Sequence, residues 1–163
     1  MALFDAFLKL DGIKGESADS KHKGEIDIMS FSWGASQTGV QATGGGGGAG
    51  KVHFQDIHFI KKSDASSPLL MLNCANGAHI ATGNFVVRKA GGEQLEYLKI
   101  KLTDVLVSSY KEHGSQKGDE IPVDTFSLNF AKIEYQYQPQ GADGKASGGP
   151  VIAGWDVKGN VKV

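Results

Sequence analysis

Alternation of apolar and polar residues with a period of two restricts this chain more than any other feature, because only an extended strand puts every second side chain on one face. Leu98, Ile100 and Leu102 share a face, set against Lys99 and Lys101. Phe126, Leu128 and Phe130 alternate with Thr125, Ser127 and Asn129, and Ile133, Tyr135 and Tyr137 alternate with Glu134 and Gln136. Strands are also expected over Phe4–Leu10, Ile26–Trp33, Val52–Ile60, Asn84–Lys89, Val105–Tyr110 and Ala153–Val157. Within Val52–Ile60 the apolar phase slips from Val52 and Phe54 to Ile57 and Phe59, which a bulge near Gln55-Asp56 would explain. A single helix is expected, with Ser67 as its N-cap, Pro68 in the first helical position and Gly77 as the left-handed residue after its end. It is apolar nearly all round, through Leu69, Leu70, Met71, Leu72 and Cys74, as suits a short helix plugged against a barrel end. Many strands and one helix predict a mainly β fold: an antiparallel, sandwich-like β-barrel with one short flanking α-helix. A barrel would also remove the sheet edges that invite uncontrolled pairing.

A chain of 163 residues is expected to form one domain, 1–163, and is long enough to bury a core without a disulfide or a metal. Loops are expected at Glu16–Gly24, Gly39–Lys51 and Gly141–Pro150, with no linker and no internal repeat. Cys74 is the only cysteine, which rules out an intrachain disulfide and is compatible with a reducing compartment. The first residues, MALFDAFLKL, place Asp5 inside the apolar stretch and offer no small-residue cleavage site, so a cleaved leader is not expected. No apolar run approaches the ~20 residues of a spanning helix, and membrane insertion is not expected. With 17 basic and 18 acidic side chains there is no surplus of cations to neutralise phosphates, so nucleic acid is not an expected partner. The densest basic stretch, Lys21-His22-Lys23, is followed by Glu25 and Asp27 and reads as a solvated turn.

The motifs that could carry chemistry each fail on inspection. Gly45 to Lys51 reads G-G-G-G-A-G-K and fits seven positions of the phosphate-binding pattern G-x-x-x-x-G-K-S/T. Val52 then stands where a Mg²⁺-binding hydroxyl is needed, and a strand is expected where the motif requires a helix. The five histidines, His22, His53, His58, His79 and His113, complete no ligand set and read as surface or rim residues. Ser20-Lys21-His22-Lys23 satisfies S-x-x-K without the companion S-D-N and K-T-G signatures, and no G-x-S-x-G occurs. Cys74 reads as a small buried hydrophobe rather than a nucleophile. No catalytic, metal-binding or cofactor-binding residue is assigned; the chain is expected to be non-enzymatic and to need no cofactor.

Five blocks together resemble the haemolysin-coregulated protein family (Hcp) of type VI secretion. They are L-D-G-I-K-G-E-S at Leu10–Ser17, G-G-G-G-G-A-G-K-V-H-F-Q-D at Gly44–Asp56, the block Arg88–Tyr110, S-L-N-F-A-K-I-E-Y-Q-Y-Q-P-Q at Ser127–Gln140, and Gly154-Trp155. The resemblance runs in order along the chain; Arg88–Tyr110 is the specific block, and the glycine run alone would carry nothing. It implies a β-barrel with a flanking helix that closes into homohexameric rings, stacked into the hollow inner tube of the apparatus. It further implies the spike protein, sheath and baseplate as partners, with effectors carried and protected in the lumen. Such a protein would be cytoplasmic before firing and would then be driven out through the apparatus into the medium or a neighbouring cell. Some members of the family bear a C-terminal toxin domain; this chain is expected to be the plain tube form. A stand-alone secreted effector or adhesin, and a small hydrolase, are the other classes considered, and a monomeric native mass would favour them.

The segment Gly39–Lys51 is expected to serve ring stacking. Five consecutive glycines supply no side-chain packing, and ordering them costs more backbone entropy than any other residue would. The residues assigned to this arm are Gly39, Val40, Gln41, Thr43, Gly44, Gly46, Gly48 and Lys51.

Overall fold

The computed structural model describes residues 3–39, 49–118 and 120–163. The chain order is β1 (Phe4–Leu10), β2 (Ile26–Asp27), β3 (Ser30–Ser32), β4 (Ala35–Gly39), β5 (Ala49–Phe54), β6 (Ile57–Lys62), α1 (Ser67–Asn76), β7 (His79–Lys89), β8 (Glu96–His113), β9 (Val123–Tyr137), β10 (Val151–Asp156) and β11 (Val161–Lys162). Nine strands form one antiparallel sheet in the order β11-β10-β9-β8-β7-β1-β2, with β6 joined to β9 and β3 joined to β6. The upper part of β9 pairs with β6 (Ile57↔Leu128 to Lys62↔Val123) and its lower part with β10 (Val151↔Tyr137 to Asp156↔Lys132). The sheet curls back on itself, but no continuous ladder closes it. Instead the two residues between β2 and β3 hand the chain across: Ile28 N–H donates to the Ala6 carbonyl on β1, and Met29 N–H to the Ile60 carbonyl on β6. The expected single strand Ile26–Trp33 is therefore two short strands serving two neighbours.

The core fills this curl. Phe31, Phe85, Phe59 and Phe126 form a chain of ring contacts with centroids 4.8, 5.1 and 5.3 Å apart. Leu8, Ile26, Ile57, Leu70, Ile100, Leu102 and Leu128 are buried around it. The segments Leu98–Leu102 and Val105–Tyr110 belong to one 18-residue strand, and the two patterns ending at Tyr137 belong to one 15-residue strand. They look separate in sequence because the inward phase slips by one. Ile80↔Val105↔Phe130 and Gly83↔Leu102↔Ile133 are two buried rows three residues apart, so β7, β8 and β9 change phase at the same level. Asp104, between those rows, adopts φ +54°. The register holds across this level, so the three strands turn together over the core.

Val52–Ile60 is not one bulged strand. The chain breaks at Gln55-Asp56 and changes sheets: β5 pairs with β4 in a separate two-stranded ribbon, while β6 enters the main sheet. Asp56 pins the corner by accepting Ser108 Oγ (2.6 Å) and Asn129 Nδ2 (2.8 Å). In α1 the cap is Ser66, one residue earlier than expected, with no side-chain cap bond, so Pro68 falls at the second helical position rather than the first; the left-handed Gly77 (φ +65°) stands as read. Ser67 is not free to cap, because its Oγ takes part in a buried network described below. Nor is α1 a plug. Only Ser67 and Leu70 are buried on it, while Leu69, Met71 and Leu72 are exposed and Cys74 is half-buried against the core. No helix among the described residues is long and apolar enough to cross a membrane.

Candidate assembly surfaces

None of the catalytic motifs becomes a site. Lys51 lies exposed inside strand β5, so no helix N-terminus follows the glycine run to face a phosphate. Ser20 and Lys23 are exposed on a loop. Among the described residues no group of three His, Cys, Asp or Glu side chains is placed to hold a metal ion. His53, His58, His79 and His113 are exposed as expected, but His22 is buried. Its imidazole stacks on Phe7 with centroids 4.3 Å apart, and its Nδ1 and Nε2 stand 2.8 Å from Glu25 and Glu96. The basic turn is thus folded down onto β1 and β8 rather than solvated throughout.

Arg88 completes that clamp. It is buried on the outer side of β7, sits 4.8 Å from the centre of the Phe7 ring, and pairs with Asp5 and Asp19. The hydrogen bond from Arg88 pushes the Asp19 carboxyl down to about 2. Burial would raise Glu96, but the hydrogen bond from His22 and the charge of Lys99 outweigh it, and the carboxyl is held below its ordinary value. A second buried network sits where α1 leaves β6. Lys61 Nζ donates to Asp124 (2.8 Å), Asp64 (2.9 Å) and Ser67 (2.9 Å), and Ser67 and Ser63 also donate to Asp124. Burial raises the Asp124 carboxyl, and these donors more than offset that, leaving it below its ordinary value. Both networks are geometrically satisfied, and both pin surface segments to the sheet.

What remains for function is the surface itself. The arm residues Gly39 and Lys51 stand on β4 and β5, whose ladder runs from Ala35↔Phe54 to Gly39↔Ala49. Val40, Gln41, Thr43, Gly44, Gly46 and Gly48 lie outside the described residues. The ribbon springs from the start of β6 and α1 from its end, so stem and helix are separated by the length of that strand, roughly 20 Å at ~3.3 Å per residue. Exposed apolar side chains gather in two places: Leu69, Met71 and Leu72 on α1, and Tyr137, Val151, Ile152, Val161 and Val163 along β10 and its flanks. Sequence reading began the last long strand at Ala153 and so missed Val151 and Ile152. The apolar pair that opens β10 directly after Pro150 was the available signal.

Fold and surface define a small, mainly β protein: one curled antiparallel sheet with a single helix, a separate two-stranded ribbon, and exposed apolar side chains on α1 and along β10. The family model for "Type VI secretion system effector, Hcp" matches residues 7–137. Protein hcp1 of Pseudomonas aeruginosa is 49% identical over 159 residues, covering 97% of this chain and 98% of that one. The crystal structure of Hcp1 from Salmonella typhimurium superposes with a TM-score of 0.80 at 34% identity, covering 99% of this chain and all of that one. A solved type six secretion system protein reaches 0.92 at 31% identity, covering 98% and 99% of the two chains. The chain belongs to the Hcp family of type VI secretion proteins, which are secreted structural subunits of the type VI tube.

Proposed function

We propose that this chain is a non-enzymatic tube subunit: it closes into rings of six, the rings stack, and the stack is exported with the spike through the sheath and baseplate. The observation that carries this reading is the extent of the family match, in which the whole barrel, and not an isolated block, aligns with its relatives. Subunits wait in the cytoplasm and leave by the apparatus itself, and effectors ride in the lumen. The residues Gly39, Val40, Gln41, Thr43, Gly44, Gly46, Gly48 and Lys51 form the stacking arm. A ribbon whose described strands, β4 and β5, pair with each other in a sheet of their own supports this, because shortening it takes no described pairing from the nine-stranded ladder.

Stacking by small contacts suits a tube that must form and come apart. Six identical contacts per ring face act together. If each gave ~1.4 kcal/mol, a factor of ten, six would reach about a million before entropic losses. Replacing Thr43–Ala49 with a two-residue Asn-Gly turn tests the assignment. The shortened protein should keep its melting temperature and ring mass, form fewer tubes under the electron microscope at high concentration, and fail to be secreted. Shortened protein that runs as a monomer would place the arm in the ring interface; normal stacking and secretion would remove it from both.

A further inference from the structure

A surface groove of about 650 Å³ lies between the turn that leaves β1, the return of the Glu16–Gly24 loop into β2, and the first turn of α1. Hydrogen bonds fix each wall. Ile13 N–H donates to the Leu10 carbonyl and Asp11 N–H to the Thr82 carbonyl, both at 3.2 Å. Gly15 N–H donates to the Gly24 carbonyl and Gly24 N–H to the Ser17 carbonyl, both at 2.9 Å. Ala65 N–H, just before α1, donates to the Glu16 carboxylate at 3.0 Å. A Cβ built at Gly12 or Gly24 would meet nothing within 4 Å, so the rim is bare at both. The floor is apolar, made by Leu10, Ile13 and the 38% exposed Leu69, and α1 brings no charge of its own.

Lys9, Lys14 and Lys23 stand exposed around this floor. Among the described residues, the lysine side chains that find an oxygen partner are Lys61, Lys89, Lys99, Lys132 and Lys145, so none of these three is paired. The acids of the same rim are already engaged: Asp11 accepts Thr82 Oγ1 (2.8 Å), and Glu25 lies 2.8 Å from His22 Nδ1. In a chain of 17 basic and 18 acidic side chains, three free cations around one apolar floor are a local surplus. We propose that this groove is the docking site for an acidic segment of another polypeptide, one that alternates carboxylates with a leucine-like anchor. The anchor covers Leu10, Ile13 and Leu69 while the carboxylates meet the three ammonium groups. Lysine, a point charge on a flexible stem, meets carboxylates at varied angles, whereas the arginine fork is the closer match for a phosphate. The one arginine, Arg88, is committed to Asp5 and Asp19. Walls that are already ordered spare the complex the cost of ordering them, and the clustered cations steer an acidic partner toward the groove. The site belongs to a single subunit and stands or falls independently of the ring reading.

The test follows binding of a short fluorescein-labelled peptide repeating Glu-Glu-Leu to the full-length protein by fluorescence anisotropy, with a Lys-Lys-Leu repeat as the control probe. The acidic peptide should bind and the basic one should not. Lys9→Ala, Lys14→Ala and Lys23→Ala combined should weaken binding about tenfold, as three exposed ion pairs lost together would, and should flatten its dependence on salt. Leu69→Ser should weaken binding while leaving the salt dependence in place. Lys158→Ala, on the turn after β10, should change nothing, and all variants should keep the wild-type melting temperature. A second measurement needs no variant: lysine acetylation read by mass spectrometry should show Lys9, Lys14 and Lys23 protected by the peptide and Lys158 unprotected. Failure of the wild type to bind, whether a second copy fills the groove or no peptide fits it, would overturn the inference. So would equal loss in Lys158→Ala, or displacement of the peptide by inorganic phosphate at constant ionic strength, which would make the groove a simple anion site.

Discussion

Lys61 shows how a single residue can escape sequence reading. Ile57, Phe59 and Lys61 occupy the same inward phase of β6, so the alternation places a lysine where a hydrophobe is expected. Its partner Asp124 lies 63 residues away, and no spacing rule links them. The pair is fully buried, and removing one member would leave an uncompensated charge. Asp124→Asn should cost about 3–5 kcal/mol, read as a lowered urea midpoint at neutral pH; a loss below about 1 kcal/mol would show that the network does not hold α1 to the sheet. His22 and Arg88 escaped for the same reason, since Phe7, Glu96 and Asp19 reach them only through the fold. The Arg88 pairing also fixes a pH dependence. Asp19 is held at about 2 in the folded chain, below its unfolded value of roughly 3.9. Its contribution is therefore complete above pH ~4 and is lost as pH falls toward 2. Urea midpoints at pH 6, 4 and 2.5 should fall more steeply for the wild type than for Asp19→Asn, and parallel curves would remove Asp19 from the account.

Elements were legible where one face is dry and the other wet, and illegible where the sheet turns. The alternation over Phe126–Phe130 and in the inner half of β8 lies within strands as read, and Phe4–Leu10 is a strand too, although Phe7 is buried on its other face beneath His22 and Arg88. Phase slips at Leu102/Val105 and Phe130/Ile133 look in sequence like strand ends, yet register is unbroken across them. The slip at Gln55-Asp56 looks the same and is a true corner. Only the pairing partners distinguish these cases, and they are a property of the fold. The turn chemistry of α1 was readable because the residue that ends a helix is commonly left-handed, and Gly77 adopts that backbone without the Cβ penalty other residues meet. Gly15 is a tighter constraint that no turn motif announces: a Cβ there would lie 2.5 Å from the Glu25 carbonyl, in the contact that seats the Glu16–Gly24 loop. Gly15→Ala should cost about 1–3 kcal/mol, as overfilled sites do, and should lower the melting temperature by several degrees. An unchanged melt would mean that the loop can shift without loss.

For the whole molecule, the resemblance in five blocks indicated the family, and the strand patterns indicated a barrel; the comparisons and the fold agree with both. What alternation could not indicate is that the curled sheet is bridged by the residues between β2 and β3 and keeps two unlike free edges. The β4–β5 ribbon stands at one end of β6 and the helix at the other, so the molecule presents different features at the two ends of that strand. The central claim is that this chain is a ring-forming tube subunit, and native mass spectrometry at micromolar concentration tests it most directly. The account predicts a discrete species of six 17.2 kDa chains, about 103 kDa, as the dominant form. A spectrum dominated by the 17.2 kDa monomer would contradict it.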